Sequence, residues 1–136
     1  MTPDGLAATH ARAFAKTRGW SAPEFAALLA NPGTILVGDA TAFILGRVTV
    51  DEAEVLTLAT DPAHQRRGLA RIALDGFEAT ARTAGAKSVF LEVAEDNHAA
   101  KALYTAAGYV PVGRRPRYYS TQAGNCIAAL ILRKLL

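Results

Sequence analysis

The sequence predicts a single α/β (α+β) domain over residues 1–136, with a mixed β-sheet flanked by helices on both faces. Two observations support this fold class. Segments with the two-residue alternation of strands are interspersed with segments of helical spacing, in the order α-α-β-β-β-α-β-α-β-β. The strand, helix and strand between residues 55 and 93 also form a right-handed crossover unit, which places two parallel strands in the sheet.

The N-terminal half is predicted to form two helices and then three strands. A helix is expected over residues 5–17, which are rich in alanine. A second helix is expected over about 22–30, because Ser21 and Glu24 form a capping-box pattern ahead of it. Runs rich in β-branched and apolar residues then predict three strands, the first two of which form a hairpin. These strands cover residues 34–38, 41–50 and 53–60.

The C-terminal half continues with a helix, a strand, a second helix and two strands. Apolar spacing starts the first of these helices near Leu69 and ends it at Ala84-Gly85. Its buried face is predicted to consist of Leu69, Ile72, Ala73, Gly76 and Phe77. Alternation along the next strand directs Val89, Leu91 and Val93 to one side. The other predicted elements are a strand over 87–94, a helix over 98–107, strands over 109–112 and 125–136, and a basic loop over 113–124.

Charge is unevenly distributed along the chain. The net charge is +3, from 15 basic and 12 acidic residues, yet the last acidic residue is Asp96. The basic residues beyond it are Lys101, Arg114, Arg115, Arg117, Arg133 and Lys134. This excess indicates either an acidic ligand or a solvated basic face, and charge alone does not decide between them. Direct nucleic-acid binding is not expected, because the chain has no zinc-ligand spacing and no long run of Lys and Arg.

Composition limits the class of protein. No apolar run approaches the ~20 residues of a membrane span, and the first residues lack the pattern of a secretory signal. The single Cys126 cannot form an internal disulfide, which fits a reducing compartment, and its apolar surroundings favour packing over catalysis. His10, His64 and His98 share no metal-ligand spacing, so no metal is expected. The composition therefore predicts a cytoplasmic enzyme or binding module without membrane contact.

The stretch QRRGLA, residues 65–70, connects a predicted strand to a predicted helix. Gly68 allows the backbone to come close to a ligand, and Ala70 leaves the first helical turn without bulk. Backbone N–H groups at a helix N-terminus attract anions, and Arg66 and Arg67 add positive charge there. The stretch therefore predicts an anion site, although a solvated loop can have the same composition.

Two further residues support functional hypotheses. Glu92 is a carboxylate inside the apolar strand VFLEVA, where it is either a partly desolvated general base or a residue on a solvent-facing side. Tyr104 lies on the following helix, next to the apolar stripe of Ala100, Leu103 and Ala107. A tyrosine in that setting is usually a core residue with a hydrogen-bonded hydroxyl group. The chemistry of these two residues leaves both alternatives open.

Together these segments resemble a known family. The chain is similar to the GNAT superfamily of acetyl-CoA-dependent N-acetyltransferases, and within it to the RimI-type ribosomal-protein alanine acetyltransferases. The resemblance rests on DPAHQRRGLARIAL at 61–74, LEVAEDNHAAKALYTAAGY at 91–109 and GRRPRYY at 113–119. It extends over about residues 9–135. The Q-x-x-G-x-A motif is weak alone, but its combination with LEV and N-x-x-A-x-x-L-Y-x-x-x-G-Y at this interval is specific.

The resemblance implies a GNAT fold in which two parallel strands, here 55–60 and 87–93, splay apart to hold acetyl-CoA. Glu92 corresponds to the general base of RimI-type enzymes, and Tyr104 to the acid that protonates the thiolate leaving group. Transfer in this family is direct, and the implied acceptor is the N-terminal amine of a protein or peptide, for instance a ribosomal protein. The implied cofactor contacts are the N–H groups of Arg66, Arg67, Gly68, Leu69, Ala70 and Arg71, the strand end Leu58, Ala59 and Thr60, and Asn97.

Departures from the family pattern leave the acceptor open. The usual first strand is short or absent, and Asn125-Cys126-Ile127 replaces the common Glu-Asp-Ala. A GNAT enzyme for a small-molecule amine and a non-catalytic acyl-CoA-binding module are therefore alternatives. The two tyrosines of GRRPRYY can flank an extended peptide, which favours a protein acceptor. The chain is expected to be a monomer or a weak dimer.

Overall fold

The structure is a computed structural model that describes residues 1–14, 19–120 and 126–136, with the backbone alone for residues 117–120. Within these ranges the elements follow the predicted order. The helices are α1 Pro3–Ala13, α2 Ala22–Leu29, α3 Leu69–Thr83 and α4 His98–Ala106. The strands are β1 Thr34–Gly38, β2 Ala42–Thr49, β3 Glu52–Thr60, β4 Ser88–Ala94, β5 Val110–Ser120 and β6 Cys126–Leu135. None of the described helices has both the length and the apolar character needed to cross a bilayer.

The strands form one mixed sheet in the order β1-β2-β3-β4-β6-β5. Neighbouring strands are antiparallel except for β3 and β4, which run parallel and are connected through α3. Parallel neighbours require a crossover of this kind, because a tight turn would reverse the chain. The predicted mixed sheet and its crossover unit are confirmed.

Side-chain alternation divides the core between the two faces of the sheet. Phe43, Leu45 and Ala59 project to one face, where they pack with Leu6 of α1 and Phe25 of α2. Neighbouring positions on the same strands project to the other face and pack against α3 and α4. This second cluster includes Ile44, Val55, Leu74, Phe77, Leu91, Val93, Tyr104 and Leu132. Helices therefore cover both faces, as predicted.

The parallel pair β3–β4 is closed along only part of its length. Its ladder ends at the pair Val55↔Leu91. β3 continues to Thr60 while paired with β2, and β4 continues to Ala94 while paired with β6. A gap therefore opens inside the sheet, bordered by backbone groups that an inserted extended chain could pair with. The predicted splayed pair is confirmed.

Helix α1 is shifted towards the N-terminus relative to the predicted range 5–17. It begins at Pro3, because the Thr2 side chain accepts a hydrogen bond from the Gly5 N–H at 3.1 Å and caps the helix. It ends at Ala13, and residues 15–18 lie outside the described ranges. The cap was not recognised in the sequence, so the predicted start was too late.

The segment predicted as a basic loop over 113–124 is largely a strand. β5 runs to Ser120 and pairs with β6, and residues 121–124 lie outside the described ranges. Gly113 and Pro116 favour a loop on local grounds, but each lies at a register shift of the ladder. β5 is also the edge of the sheet, where a proline without an N–H donor is tolerated. Pairing with β6 thus overrides local composition.

The buried face of α3 is rotated from the prediction. Ile72, predicted to be buried, is 66% exposed. The buried residues of this helix are Ala73, Leu74, Phe77, Glu78 and Ala81. Phe77 packs over Gly46 of β2, where a β-carbon would overlap the Phe77 ring. The prediction ranked Ile72 by its apolar side chain, whereas the orientation of the helix on the sheet excludes it from the core.

Candidate active site

The turn between β3 and α3 has a strongly curved backbone. Asp61 accepts a hydrogen bond from the Ala63 N–H at 3.0 Å and so starts the short 3-10 turn Pro62–His64. Arg66 and Gly68 both have left-handed backbones, with φ of 65° and 73°. This region is unfavourable by roughly 1–2 kcal/mol for a residue that carries a β-carbon. Of the two left-handed residues, only Arg66 carries a β-carbon. Together they turn the chain sharply just before α3.

Helix α3 begins without a side-chain cap, in contrast to the other three described helices. Thr2, Ser21 and Asn97 each accept a hydrogen bond from a backbone N–H in the first turn of α1, α2 and α4. The N-cap of α3 is Gly68, which makes no such bond, and a β-carbon added there would meet no atom within 4 Å. The first N–H groups of this helix of 15 residues therefore lack a side-chain acceptor, and the space at Gly68 is open.

Positive charge surrounds this helix start. The side chains of Arg66 and Arg67 are exposed, whereas Leu69 and Ala70 are half-buried. Arg71 pairs with an aspartate one turn further along the helix, at 3.0 Å. Uncapped N–H groups at the positive end of a helix dipole, next to two exposed arginines, are suited to bind an anion. The residues predicted to bind the diphosphate are thus contiguous around one open helix start.

The strand end that leads into this turn borders the gap in the sheet. Leu58, Ala59 and Thr60 pair with β2 along one edge, and their other edge faces the gap. Ala59 is buried on the side of α1 and α2, whereas Leu58 packs against the opposite cluster. Their side chains therefore leave the gap-facing backbone edge accessible to an extended chain.

Glu92 lies on β4 immediately after the point where the gap opens. Its side chain is 21% exposed, and its Oε1 atom is 3.1 Å from Nη2 of Arg115 on β5. Leu91 and Val93 pack into the cluster beneath α3, so Glu92 projects to the opposite face of the sheet. The carboxylate is therefore half-buried and charge-paired, which is neither a core position nor a fully solvated one.

Tyr104 lies on the face of the sheet opposite to Glu92. Its side chain is buried in the cluster that contains Leu91 and Val93. Its ring contacts the ring of Tyr109 edge to face, with 5.5 Å between centroids. Glu92 and Tyr104 therefore flank β4 from two faces.

Asn97 forms the N-cap of α4. Its Oδ1 atom accepts a hydrogen bond from the Ala100 N–H at 3.2 Å. Capping is a structural reason for an asparagine at this position. Because the cap uses only the side-chain oxygen, the amide nitrogen of Asn97 retains its capacity to donate hydrogen bonds.

The basic C-terminal segment pairs with carboxylates from earlier elements. The pairs are Arg114–Glu95 at 2.8 Å, Arg115–Glu92 at 3.1 Å and Lys134–Glu78 at 2.8 Å. A hydrogen bond from Arg114, together with its charge, lowers the pKa of the Glu95 carboxyl. Basic residues beyond Asp96 therefore lie next to carboxylates from earlier in the sequence. The excess of basic residues in the C-terminal segment does not by itself indicate an acidic partner.

Glu78 is a buried carboxylate that the sequence analysis missed. Its Oε2 atom accepts a hydrogen bond from the Tyr109 hydroxyl at 2.8 Å, and its Oε1 atom pairs with Lys134 at 2.8 Å. Burial, and then the hydrogen bond to Glu78, raise the pKa of Tyr109. A signal was present in the sequence, because Glu78 follows Leu74 by four residues and so continues the buried stripe of α3.

Other polar groups of the described residues lie away from the gap. Within the described ranges, no group of three or more His, Cys, Asp or Glu residues could hold a metal ion. Cys126 is exposed at the start of β6. An open cleft of about 590 Å³ lies between α4 and the β5–β6 pair. Its lining includes neither Glu92 nor Tyr104, so it does not coincide with the residues predicted to be catalytic.

Known proteins share sequence with most of this chain. A model described as the acetyltransferase (GNAT) family matches residues 4–109. The Mycobacterium tuberculosis protein named N-alpha-acetyltransferase RimI is 43% identical over 96 residues, which cover 71% of this chain and 59% of that protein. An uncharacterized protein of Mycobacterium leprae is 36% identical over 137 residues, covering 92% of this chain and 37% of the relative. This chain thus spans less than two thirds of the length of either relative.

A solved structure shares the fold as well. The crystal structure of the ribosomal-protein-S18-alanine N-acetyltransferase from Escherichia coli superposes with a TM-score of 0.87 and 29% identity. The superposition covers 98% of this chain and 86% of that one. The predicted fold is confirmed by this likeness together with the family match across the β3–α3–β4 unit. The chain belongs to the GNAT family of acetyltransferases.

Proposed function

We propose that this chain is an N-acetyltransferase that transfers the acetyl group of acetyl-CoA to the N-terminal α-amine of a protein or peptide. The observation that carries the proposal is the junction of an open gap in the sheet with an uncapped, arginine-flanked start of α3. A ligand with an extended amide-containing arm and a diphosphate at its end matches both features. CoA has this composition.

Named residues fit this ligand. The N–H groups from Arg66 to Arg71 would hold the diphosphate, because Gly68 leaves open space at a helix start where no side chain competes for them. The gap-facing backbone of residues 58–60 would pair with the pantetheine arm as an additional partial strand. The amide nitrogen of Asn97 would donate to the cofactor from the start of α4.

Two residues have proposed chemical roles. When bound, acetyl-CoA supplies an acetyl group activated as a thioester. A protein N-terminal amine has a pKa of about 7.7–8.0, so a modest base suffices to take its proton. Glu92 accepts that proton as the amine attacks, directly or through one water molecule, and Tyr104 donates its hydroxyl proton to the departing sulfur. Their location on two faces of β4 lets the base and the acid act from opposite sides of the gap.

The names of the relatives support a protein acceptor. The Escherichia coli protein is named for an alanine of a ribosomal protein and the Mycobacterium tuberculosis protein for α-amine acetylation. The identities of these two proteins to this chain are 29% and 43%, so the acceptor of this chain is proposed as the class of N-terminal amines and not as one protein. Alanine and serine N-termini are the first members to examine.

The proposal is tested by thiol release from acetyl-CoA in the presence of a peptide panel. The panel contains peptides with N-terminal Ala or Ser, the same peptides blocked at the α-amine, and small amines such as a polyamine and an amino acid. Turnover is expected on the free peptides and not on the blocked ones, and Glu92→Gln should turn over the free peptides about 10²- to 10⁴-fold more slowly. Turnover on small amines alone would replace a protein acceptor with a small-molecule one. Tight binding of CoA without any turnover would identify a binding module instead.

A further inference from the structure

We propose that Tyr109 is a positioning residue for Tyr104, and that Glu78 and Lys134 hold Tyr109 in place for this purpose. The inference rests on the proposed function, in which Tyr104 is the acid. It assigns a role in the reaction to three residues, of which Tyr109 ends the motif at 91–109 and Glu78 and Lys134 lie outside the quoted motifs.

The Glu78 carboxylate is held by two partners. Each of its oxygens has a partner at 2.8 Å, the Tyr109 hydroxyl on one and the Lys134 ammonium on the other. The Glu78 side chain is 7% exposed and that of Lys134 is 24% exposed. The ammonium also lies 5.8 Å from the centre of the Tyr109 ring. The hydroxyl of Tyr109 is therefore fixed by a carboxylate that is itself fixed, across α3 and β6.

The two tyrosines are in direct contact. The Tyr109 ring, 2% exposed, contacts the Tyr104 ring edge to face at 5.5 Å and an interplanar angle of 67°. The Tyr109 N–H also donates to the Tyr104 carbonyl oxygen at 3.0 Å, across a turn in which Gly108 has a φ of 99°. Both the backbone and the ring of Tyr109 therefore contact Tyr104, the residue that is proposed to donate the proton. In a close-packed core, a fixed neighbour limits the orientations of a ring.

A phenylalanine at 109 with an apolar residue at 78 would fill the same space, and buried ion pairs are often no more stabilising than such apolar replacements. The polar network restricts the Tyr109 side chain to a single orientation, because the hydrogen bonds to both oxygens of Glu78 are directional. Burial, and then the hydrogen bond to Glu78, also raise the pKa of Tyr109, which favours the protonated hydroxyl that donates this bond. Supporting residues of this kind keep a reacting group in its productive geometry.

The inference is tested by a double-mutant cycle between Tyr104→Phe and Tyr109→Leu, with kcat and the KM for acetyl-CoA measured for each variant. Tyr109→Leu is expected to lower kcat by about 10- to 100-fold, the range for a misplaced reacting group, while the KM for acetyl-CoA changes less than about twofold. Tyr109→Phe keeps the ring but removes the hydrogen bond to Glu78, so it should show a smaller loss of kcat than Tyr109→Leu, of about 3- to 10-fold. In the Tyr104→Phe background, Tyr109→Leu should have almost no further effect, because the group that it positions is gone.

Two outcomes separate this inference from the proposed function. Full activity of Tyr104→Phe would remove the acid role of Tyr104 itself. A slow Tyr104→Phe that Tyr109→Leu slows again by its full factor would leave that role intact and overturn the positioning role of Tyr109.

A second variant covers the case in which Tyr109→Leu does not fold. The triple replacement Glu78→Leu, Tyr109→Phe and Lys134→Met keeps the core filled while removing the polar network. We expect it to fold, with a thermal midpoint near that of the wild type. Its kcat should fall by about 3- to 10-fold at unchanged KM, because the ring at position 109 still packs against Tyr104 while the hydrogen bonds that orient it are gone. A wild-type kcat in the folded triple variant would overturn the role assigned to Glu78 and Lys134.

Discussion

Two carboxylates in apolar segments of this chain, Glu92 and Glu78, have different surroundings. Glu92 lies next to the gap, with one oxygen 3.1 Å from Arg115, whose side chain is 53% exposed. Glu78 lies under α3 with both oxygens hydrogen-bonded and a side chain that is 7% exposed. The first retains room for another hydrogen-bond partner at the gap, whereas the second is enclosed by its partners.

This contrast shows that a charge in an apolar segment does not identify a catalytic residue. A carboxylate whose two oxygens are both hydrogen-bonded fixes the orientation of its partners and stabilises the fold. If it is removed, those partners stay buried without an acceptor, which costs the free energy of their desolvation. A half-buried carboxylate with an oxygen to spare can accept a proton from a bound amine. Substitution of Glu92 should therefore lower activity with little loss of stability, whereas substitution of Glu78 alone should lower stability as well as kcat.

The largest effect is expected for Glu92→Gln. The amide keeps the shape of the side chain but cannot accept the proton, so kcat/KM should fall by about 10²- to 10⁴-fold. The thermal midpoint should stay close to that of the wild type, because the glutamine oxygen can still accept a hydrogen bond from Arg115, whose side chain is 53% exposed. Initial rates and a thermal melt on the same preparation check both parts. Full activity across the pH range would remove Glu92 from its proposed role.

The next effect is expected for Lys134→Met. It leaves Glu78 as a buried carboxylate without its cation, and breaking such a pair lowers the free energy of unfolding by about 3 kcal/mol or slightly more. Urea denaturation should show this loss with an unchanged m-value. The apolar triple variant described above is the matched control, because it removes the carboxylate as well as the ammonium. If Lys134→Met were as stable as the wild type, Glu78 would be better solvated than its surroundings indicate.

The two ends of α3 allow a third comparison, between Gly68→Ala and Gly85→Ala. Both glycines have a positive φ, of 73° and 97°, and a β-carbon at either would meet no atom within 4 Å. Each substitution should therefore cost a similar ~1 kcal/mol of stability. Only Gly68 is adjacent to the proposed diphosphate site, so calorimetric titration with acetyl-CoA at low salt should show about 10-fold weaker binding for Gly68→Ala alone, or about 1.4 kcal/mol. Equal affinities for the two variants would count against the site.

The smallest effect is expected at a surface carboxylate, Asp61. A hydrogen bond from the Ala63 N–H, followed by one from Arg12, lowers the pKa of Asp61 in the folded protein. Because the folded value lies below the unfolded one of about 3.9, Asp61 stabilises the fold above that pH and this contribution disappears as pH falls through the folded value. The midpoint difference between wild type and Asp61→Asn should therefore be small at neutral pH and vanish in acid. A difference that grew on acidification would contradict this assignment.

The residues of the turn and the gap were predictable because their signals are local. Gly68 and the two arginines are contiguous, and the strands on each side of α3 are short apolar runs that a crossover makes parallel. The predicted burial of Ile72 was wrong, because helical spacing gives the width of the apolar face but not how the helix is rotated on the sheet. The loop predicted after Val112 was wrong as well, since pairing with β6 outweighs the local preferences of Gly113 and Pro116.

The sequence by itself determined the element order, the crossover, the glycine-containing helix start and the presence of Glu92 and Tyr104. These follow from periodicity and from residue types that lie close together along the chain. Only the tertiary structure decided that Glu92 and Tyr104 flank β4 from opposite faces, that Arg115 pairs with Glu92, and that Glu78, Tyr109 and Lys134 meet behind Tyr104. Those contacts join residues that are far apart in sequence, and their distances depend on how α3, β5 and β6 pack on the sheet, which no local pattern specifies.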